Sequence, residues 1–198
     1  MTIEQQKIDK IFRLTNREVW VVTAGTPQRR GGLLATWILQ ASLDRESPVL
    51  MAGIAPNHFT RQLIDETGAF ATHLLHQNQV DLALKFALGS GRSVDKLAGL
   101  RVSETETGCP LLKDALCWLD CRVFARLDTG DRIFFWADVV AGDQQGKSPP
   151  LTEQELLQHV DGEIRNQLIA DRQHDIEKQK PQHNEWRQKC LSWMTESR

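Results

Sequence analysis

The stretch 29-RRGGLLATWILQASLD-44 decides how this sequence is read. After two arginines and two glycines, the segment from Leu33 to Leu43 carries no charge, yet Thr36, Gln40 and Ser42 set polar groups among apolar ones. An unpaired buried amide costs roughly 1–3 kcal/mol, so a segment built only for a core has little reason to hold Gln40. Read as a strand, it places Leu34, Thr36, Ile38, Gln40 and Ser42 on one face and Leu33, Ala35, Trp37, Leu39 and Ala41 on the other. Such a surface suits a flat heteroaromatic ligand, with apolar contact to its plane and polar groups at its rim. The plainer reading is that Thr and Ser are ordinary strand residues and that Gln40 reaches solvent.

On the N-terminal side, "VWVVTAG" (19–25) is a β-branched run ended by Gly25 and Pro27, a strand and a turn, with the RRGG segment as a hairpin connection. Before it, Ile8, Ile11, Phe12 and Leu14 recur at helical spacing, which predicts a short helix over 4–15 packed by one face. On the C-terminal side, "SPVLMAGIAP" (47–56) reads as a strand buried on both faces. Asn57 is placed to cap a helix over "HFTRQLIDETG" that Gly68 ends, and "AFATHLL" (69–75) resumes as strand. Val80–Leu88 favours helix, stopped by Gly89, and "SVDKLAGL" a helical turn capped by Ser93.

In "CWLDCRVFARLD", Cys117, Leu119, Cys121, Val123, Ala125 and Leu127 point one way, while Asp120, Arg122 and Arg126 point the other. "DTGD" supplies a turn at 128–131, and "RIFFWADVVAG" returns as the hairpin partner. Strands with helices inserted irregularly predict a mainly β fold, a closed or split antiparallel barrel of Greek-key character, rather than a doubly wound sheet. Beyond "GKSPP" the pattern changes. A capping box at Thr152–Glu155 opens a long amphipathic helix carrying Leu156, Val160, Ile164 and Leu168. A last short helix after Pro181 carries Trp186, Cys190 and Trp193. The expected division is a barrel domain over 1–148 and a helical extension over 149–198, docked on the barrel or on a second subunit.

The chain has 198 residues, a net charge of −2 and 25% charged residues, so bulk electrostatics suggests neither nucleic acid nor an anionic membrane as partner. No apolar run reaches membrane-spanning length, and "MTIEQQKIDKIF" lacks a signal peptide's hydrophobic stretch, so a cytoplasmic location is expected. Cys109, Cys117, Cys121 and Cys190 form no CxxC pair and are read as free thiols, with no metal site expected.

Taken in order, "VWVVTAG … GGLLATWILQASLD … SPVLMAGIAPNHFTRQLIDETGAFATHLL … GCPLLKDALCWLDCRVFARLDTGDRIFFWADVVAG" resembles the flavin reductase-like domain, the FMN-binding split barrel, over about residues 17–143. The Trp and Gln-Ala-Ser form of the opening stretch is similar to that of flavin-reductase modules fused to flavodiiron proteins. The resemblance implies that Leu34, Ala35, Thr36, Trp37, Gln40, Ala41 and Ser42 lie along the isoalloxazine of FMN. It also implies that the loop Ala55, Pro56, Asn57, His58, Phe59 and Thr60 receives ribityl and phosphate. A helix start with free N–H groups is apt for a phosphate; helix capping alone is the other reading of Asn57 and Thr60.

The hydride donor implied is NADH or NADPH, and "GSGRS" lacks the βαβ context of a dinucleotide fingerprint. Where the family has a Gly-Asp-His motif associated with the nicotinamide nucleotide, this sequence has Gly130, Asp131 and Arg132. Arg132 replaces a group that titrates near neutrality by a permanent forked cation. It either grips a nucleotide phosphate, obstructs the pocket, or is an ordinary strand-edge charge. No catalytic side chain is required, since flavin N5 carries the chemistry. The reading is a flavin oxidoreductase, homodimeric, whose small-molecule partners are the flavin and the nicotinamide nucleotide and which passes electrons to an acceptor, a partner protein among the candidates. The alternatives are an FMN-binding electron carrier without NAD(P)H turnover and a scaffold with no ligand.

Overall fold

The computed structural model describes residues 2–196. Helix α1 (Ile3–Phe12) begins at a capping box formed by Thr2 and Gln5. Strands β1 (Trp20–Thr26) and β2 (Arg29–Ala35) form a hairpin, followed by a second one, β3 (Ile38–Gln40) with β4 (Val49–Ile54). Helix α2 (Phe59–Thr67), strand β5 (Ala69–Leu74) and helix α3 (Val80–Ala87) come next, then a small ribbon of β6 (Val102–Glu104) and β7 (Pro110–Leu112). The long pair β8 (Cys117–Asp128) and β9 (Ile133–Gln144) precedes α4 (Glu153–His159) and α5 (Gly162–Glu196).

Seven strands make one curled antiparallel sheet in the order β2-β1-β5-β8-β9-β4-β3. Its two edges, β2 and β3, are neighbours in the chain with only Thr36 and Trp37 between them, so the seam of the half-barrel is bridged by that dipeptide. This is the split barrel predicted. β1 shows how the alternating pattern serves it. Val22 and Ala24 turn into the cluster inside the sheet with Leu33, Ala35, Ile54, Phe70 and Phe135, while Val19 and Val21 turn outward against Leu75, Phe86, Leu97 and Leu151. Each fully buried side chain of Val to Phe size contributes roughly 1.5–3 kcal/mol. Both faces of β1 are covered, which fixes its register.

The segment 33–43 is not one strand. β2 ends at Ala35 and β3 starts at Ile38, and the break reverses the facing: Leu33 and Ala35 enter the inner cluster, Leu34 packs on the outer one, and Ile38 rejoins the inner cluster. The cause is closure of the seam, where the chain must cross from one sheet edge to the other. Nor is RRGG a loop. The turn is at 26–29, allowed by Gly25 at φ 107°, and Gly31 and Gly32 lie inside β2 because rings sit on them. A Cβ on Gly32 would stand 2.5 Å from the Phe86 ring, and one on Gly31 3.0 Å from that of Phe59.

Four further expectations are corrected. Helix α1 buries no residue: Ile8, Ile11 and Phe12 are 48%, 63% and 67% exposed. Residues 93–100 form turns rather than a capped helix, and the Ser93 hydroxyl donates back to Ser90 O at 3.1 Å. Alternation along β8 is interrupted by irregularities at Asp120/Cys121 and Val123/Ala125, which bury Asp120 where Thr107 donates to it from backbone (2.9 Å) and hydroxyl (2.6 Å). In the tail, the helix breaks at Val160, whose extended backbone lets Asp161 accept from Ile164 N at 2.8 Å; α5 then runs unbroken through Pro181. The ribbon β6–β7 was not anticipated. All four cysteines are free, as expected.

Candidate functional site

The crevice lies at the seam. One lip is the end of β2 with its link, Leu33 to Trp37; the other is the end of β4, Gly53 and Ile54, with Ala55; His58 and Arg132 complete a narrow slot of about 110 Å³. Two neighbouring cavities share residues with it. One, of about 290 Å³, shares Leu33 and His58 and is lined further by Asn57, Thr60, Ser90, Gly91 and Lys96. The other, of about 410 Å³, shares Trp37 and Arg132. The three adjoin through these shared residues, and α5 lines the two larger ones.

Local sequence explains the lips. Trp37 stacks on Phe134 with ring centroids 6.0 Å apart, and Gly53 makes room for both, since a Cβ there would lie 3.1 Å from Trp37 and 3.0 Å from Phe134. Arg132 lies over the Trp37 ring at 5.1 Å, with Arg17 at 6.0 Å, so the indole is held in place by cations as well as by packing. The Arg132 guanidinium also donates to Gln179 Oε1 at 3.0 Å. Of the readings open for Arg132, the edge-charge one is thereby overturned: the side chain turns inward onto the crevice.

At the other end, α2 starts at His58 with no side-chain cap, so its first N–H groups have no side-chain partner. Asn57 does not cap it. Its amide instead donates to Asp175 Oδ1 at 2.8 Å and accepts from Gln179 Nε2 at 3.0 Å. Arg92 donates to Asn57 O at 2.8 Å. Lys96, 5% exposed, reaches the same cavity and donates to Phe86 O at 2.8 Å; burial pulls its ammonium down to about 8. Burial also lowers His58, Asp175 opposing and Arg132, Lys96 and Arg92 reinforcing, so its imidazole is neutral near pH 7.

The donor set fits a flavin. A helix start with open N–H groups, a buried ammonium and a nearby guanidinium are an anion's partners. The slot between Leu33–Trp37 and Gly53–Ala55 is walled by backbone and apolar side chains, as a planar ring requires. Of the predicted positions, the structure brings Leu34, Ala35, Thr36, Trp37, Ala55, His58 and Arg132 together in the slot, with Asn57 and Thr60 in the adjoining cavity. Pro56 lies between the two groups in sequence. Gln40, Ala41 and Ser42 fall beyond the seam: Gln40 is exposed and donates to Ser42 O at 2.6 Å. Sequence reasoning missed Lys96 and Gln179. Lysine on a turn and glutamine on a polar helix carry no local signal, and only the fold brings them to the crevice. Arg29 and Arg30 pair with Glu66 and Asp95. Among the described residues there is no group of three or more His, Cys, Asp or Glu placed to hold a metal, and no helix long and apolar enough to cross a membrane.

Fold and crevice together define a split barrel with a slot at its seam. The chain belongs to the flavin reductase like domain family, whose model matches residues 12–165. It is 26% identical over 136 residues to diflavin flavoprotein A 1 of Synechocystis sp., a match covering 68% of this chain and 23% of that protein. Among solved structures it resembles an FMN-binding protein from Thermus thermophilus, with a TM-score of 0.60 at 25% identity, covering 65% of this chain and 71% of the other. An NADH:FAD oxidoreductase from Streptomyces globisporus shares the fold, with a TM-score of 0.65 at 22% identity over 73% of this chain and 86% of that one.

Proposed function

We propose that this protein is an FMN-binding flavin oxidoreductase that takes hydride from NADH or NADPH and passes the electrons to an acceptor. One observation carries the reading: the slot at the seam, between Leu33–Trp37 and Gly53–Ala55, shares Leu33 and His58 with the cavity at the uncapped start of α2, which Lys96 also lines. A flat ring joined to an anionic tail matches that order of surfaces. Bound FMN would supply hydride acceptance and electron transfer at its ring. The chain's own groups orient and shield it. Leu34, Ala35, Thr36 and Trp37 set the ring's plane; Asn57, His58 and Thr60 take the phosphate end, with Lys96 as the counter-charge; neutral His58 donates without adding charge. The family membership and the FMN-binding relative support the same reading. Exposed Ile8, Ile11 and Phe12 on α1 support a homodimer.

The second reading, an electron carrier without nicotinamide turnover, is favoured by Arg132. Its guanidinium is engaged by Trp37 and Gln179. Purified protein with absorbance near ~450 nm, bleached anaerobically by NADH or NADPH, supports the reductase; a yellow protein that neither nucleotide bleaches supports the carrier; a protein that binds no FMN overturns both.

A further inference from the structure

Helix α5 crosses the crevice on a polar stripe. Asp171, Asp175, Gln179 and His183 recur every four residues and so share one face. Three of them bind the barrel: Asp175 and Gln179 hold Asn57, Gln179 holds Arg132, and His183 Nδ1 lies 2.9 Å from Thr129 O. Gly130 lets the helix backbone approach, since a Cβ there would stand 2.4 Å from the main chain of Gln182 and His183. Gln179 is only 5% exposed. The N-terminal end is anchored separately, by Ile164 against the outer core.

This stripe forms the outer wall of the phosphate-end cavity, where Asp171, His174 and Asp175 face Asn57, Thr60, Ser90, Gly91 and Lys96. The two walls differ in charge. The barrel side offers Lys96, nearby Arg92 and open N–H groups; the helix side offers two carboxylates. A terminal phosphate monoester seated at α2 meets the cations. A second phosphate continuing outward to an adenosine meets Asp171 and Asp175, while Arg172 and Arg132 line the neighbouring cavity rather than this one.

We infer that α5 is a selectivity strap: through Asp171 and Asp175 it admits a flavin ending in a phosphate monoester and excludes the dinucleotide. This rests on the flavin reading of the crevice. Like charges at a ligand's exit discriminate by repulsion, and the polar latch at Asn57 and Arg132 keeps them in place.

The test is equilibrium binding to the full-length apo chain, followed by flavin fluorescence and calorimetry, with FMN, FAD and riboflavin. The expected result is FMN bound at least about tenfold more tightly than FAD. In Asp171→Asn/Asp175→Asn, FAD affinity rises by more than FMN affinity does, and the gap narrows by about tenfold. Gln179→Ala, which releases the latch, narrows it likewise. Equal affinities for FMN and FAD in the wild-type chain overturn the strap and leave the flavin reading standing, as does a gap that the variants narrow only by weakening FMN. Failure to bind any of the three overturns the flavin reading and the strap with it.

Discussion

Arg132 and Gln179 meet at 3.0 Å across 47 residues of chain, the guanidinium donating to the side-chain oxygen, and that same glutamine donates onward to Asn57. One buried amide thus ties the β8–β9 turn and the start of α2 to the C-terminal helix. Replacing it by alanine in Gln179→Ala removes two hydrogen bonds and leaves Arg132 without its helix partner. The expected cost is about 1–3 kcal/mol in urea unfolding, with faster tryptic cleavage after Arg172 and Lys178. Unchanged cleavage would show that α5 is held without this latch.

Gly130→Ala attacks the same junction from the barrel side. The residue sits at φ 84° and its new Cβ would strike the α5 backbone, so strain and collision add. Hydrogen exchange is expected to rise in α5 while β8 and β9 keep their protection. Equal protection of α5 in variant and parent would contradict the close approach.

The proposed seating of the flavin phosphate beside Lys96 predicts a pH-dependent affinity. Its ammonium, lowered by burial to about 8, is charged at neutrality, and a phosphate beside it favours the charged form further. Binding therefore takes up a proton as pH climbs past about 8, and FMN affinity falls there, while riboflavin, which lacks the phosphate, shows no such slope. Lys96→Met is expected to weaken FMN by about tenfold near neutrality and to abolish the difference in slope. Calorimetry at three pH values decides it.

His73 makes stability depend on pH in the opposite part of the scale. Its ring is fully buried, Nδ1 3.1 Å from Val21 O and Nε2 accepting from Leu112 N at 3.1 Å, and burial lowers it to about 4. The unfolded chain takes up this proton below about 6.5 while the folded one does not, so the stability is complete above that value and is lost as pH falls towards 4, on the order of 3 kcal/mol. Urea midpoints between about pH 7 and pH 4.5 should drop accordingly, and His73→Gln should flatten the contribution at the expense of stability throughout.

How much of this was legible depends on range in the chain. The facing of Leu33, Leu34 and Ala35, the αL glycine at Gly68 closing α2, and the β8–β9 hairpin follow from local period and turn chemistry. The break at Thr36–Trp37 does not, because neither residue is a breaker; it is imposed by two sheet edges that must meet. Buried Asp120 was misassigned for the same reason, its partner Thr107 lying on the turn between β6 and β7. Pro181 marks a helix end by every local rule, yet Gln179 and His183 on either side of it are both bound to the barrel, and those bonds hold one helical direction through it. Lys96 and Gln179 belong to the crevice only through the fold.

The two-residue bridge between β2 and β3 has a mechanical meaning. A sheet whose opposite borders are stitched together so tightly cannot gape at the stitch, and Trp37, wedged there against Phe134, stiffens it. The crevice beside the stitch thus has one fixed border, and the long helix stands along its flank. Clasp and helix divide the labour: the one fixes the shape of the chamber, the other closes its flank through side-chain bonds to Asn57, Thr129 and Arg132.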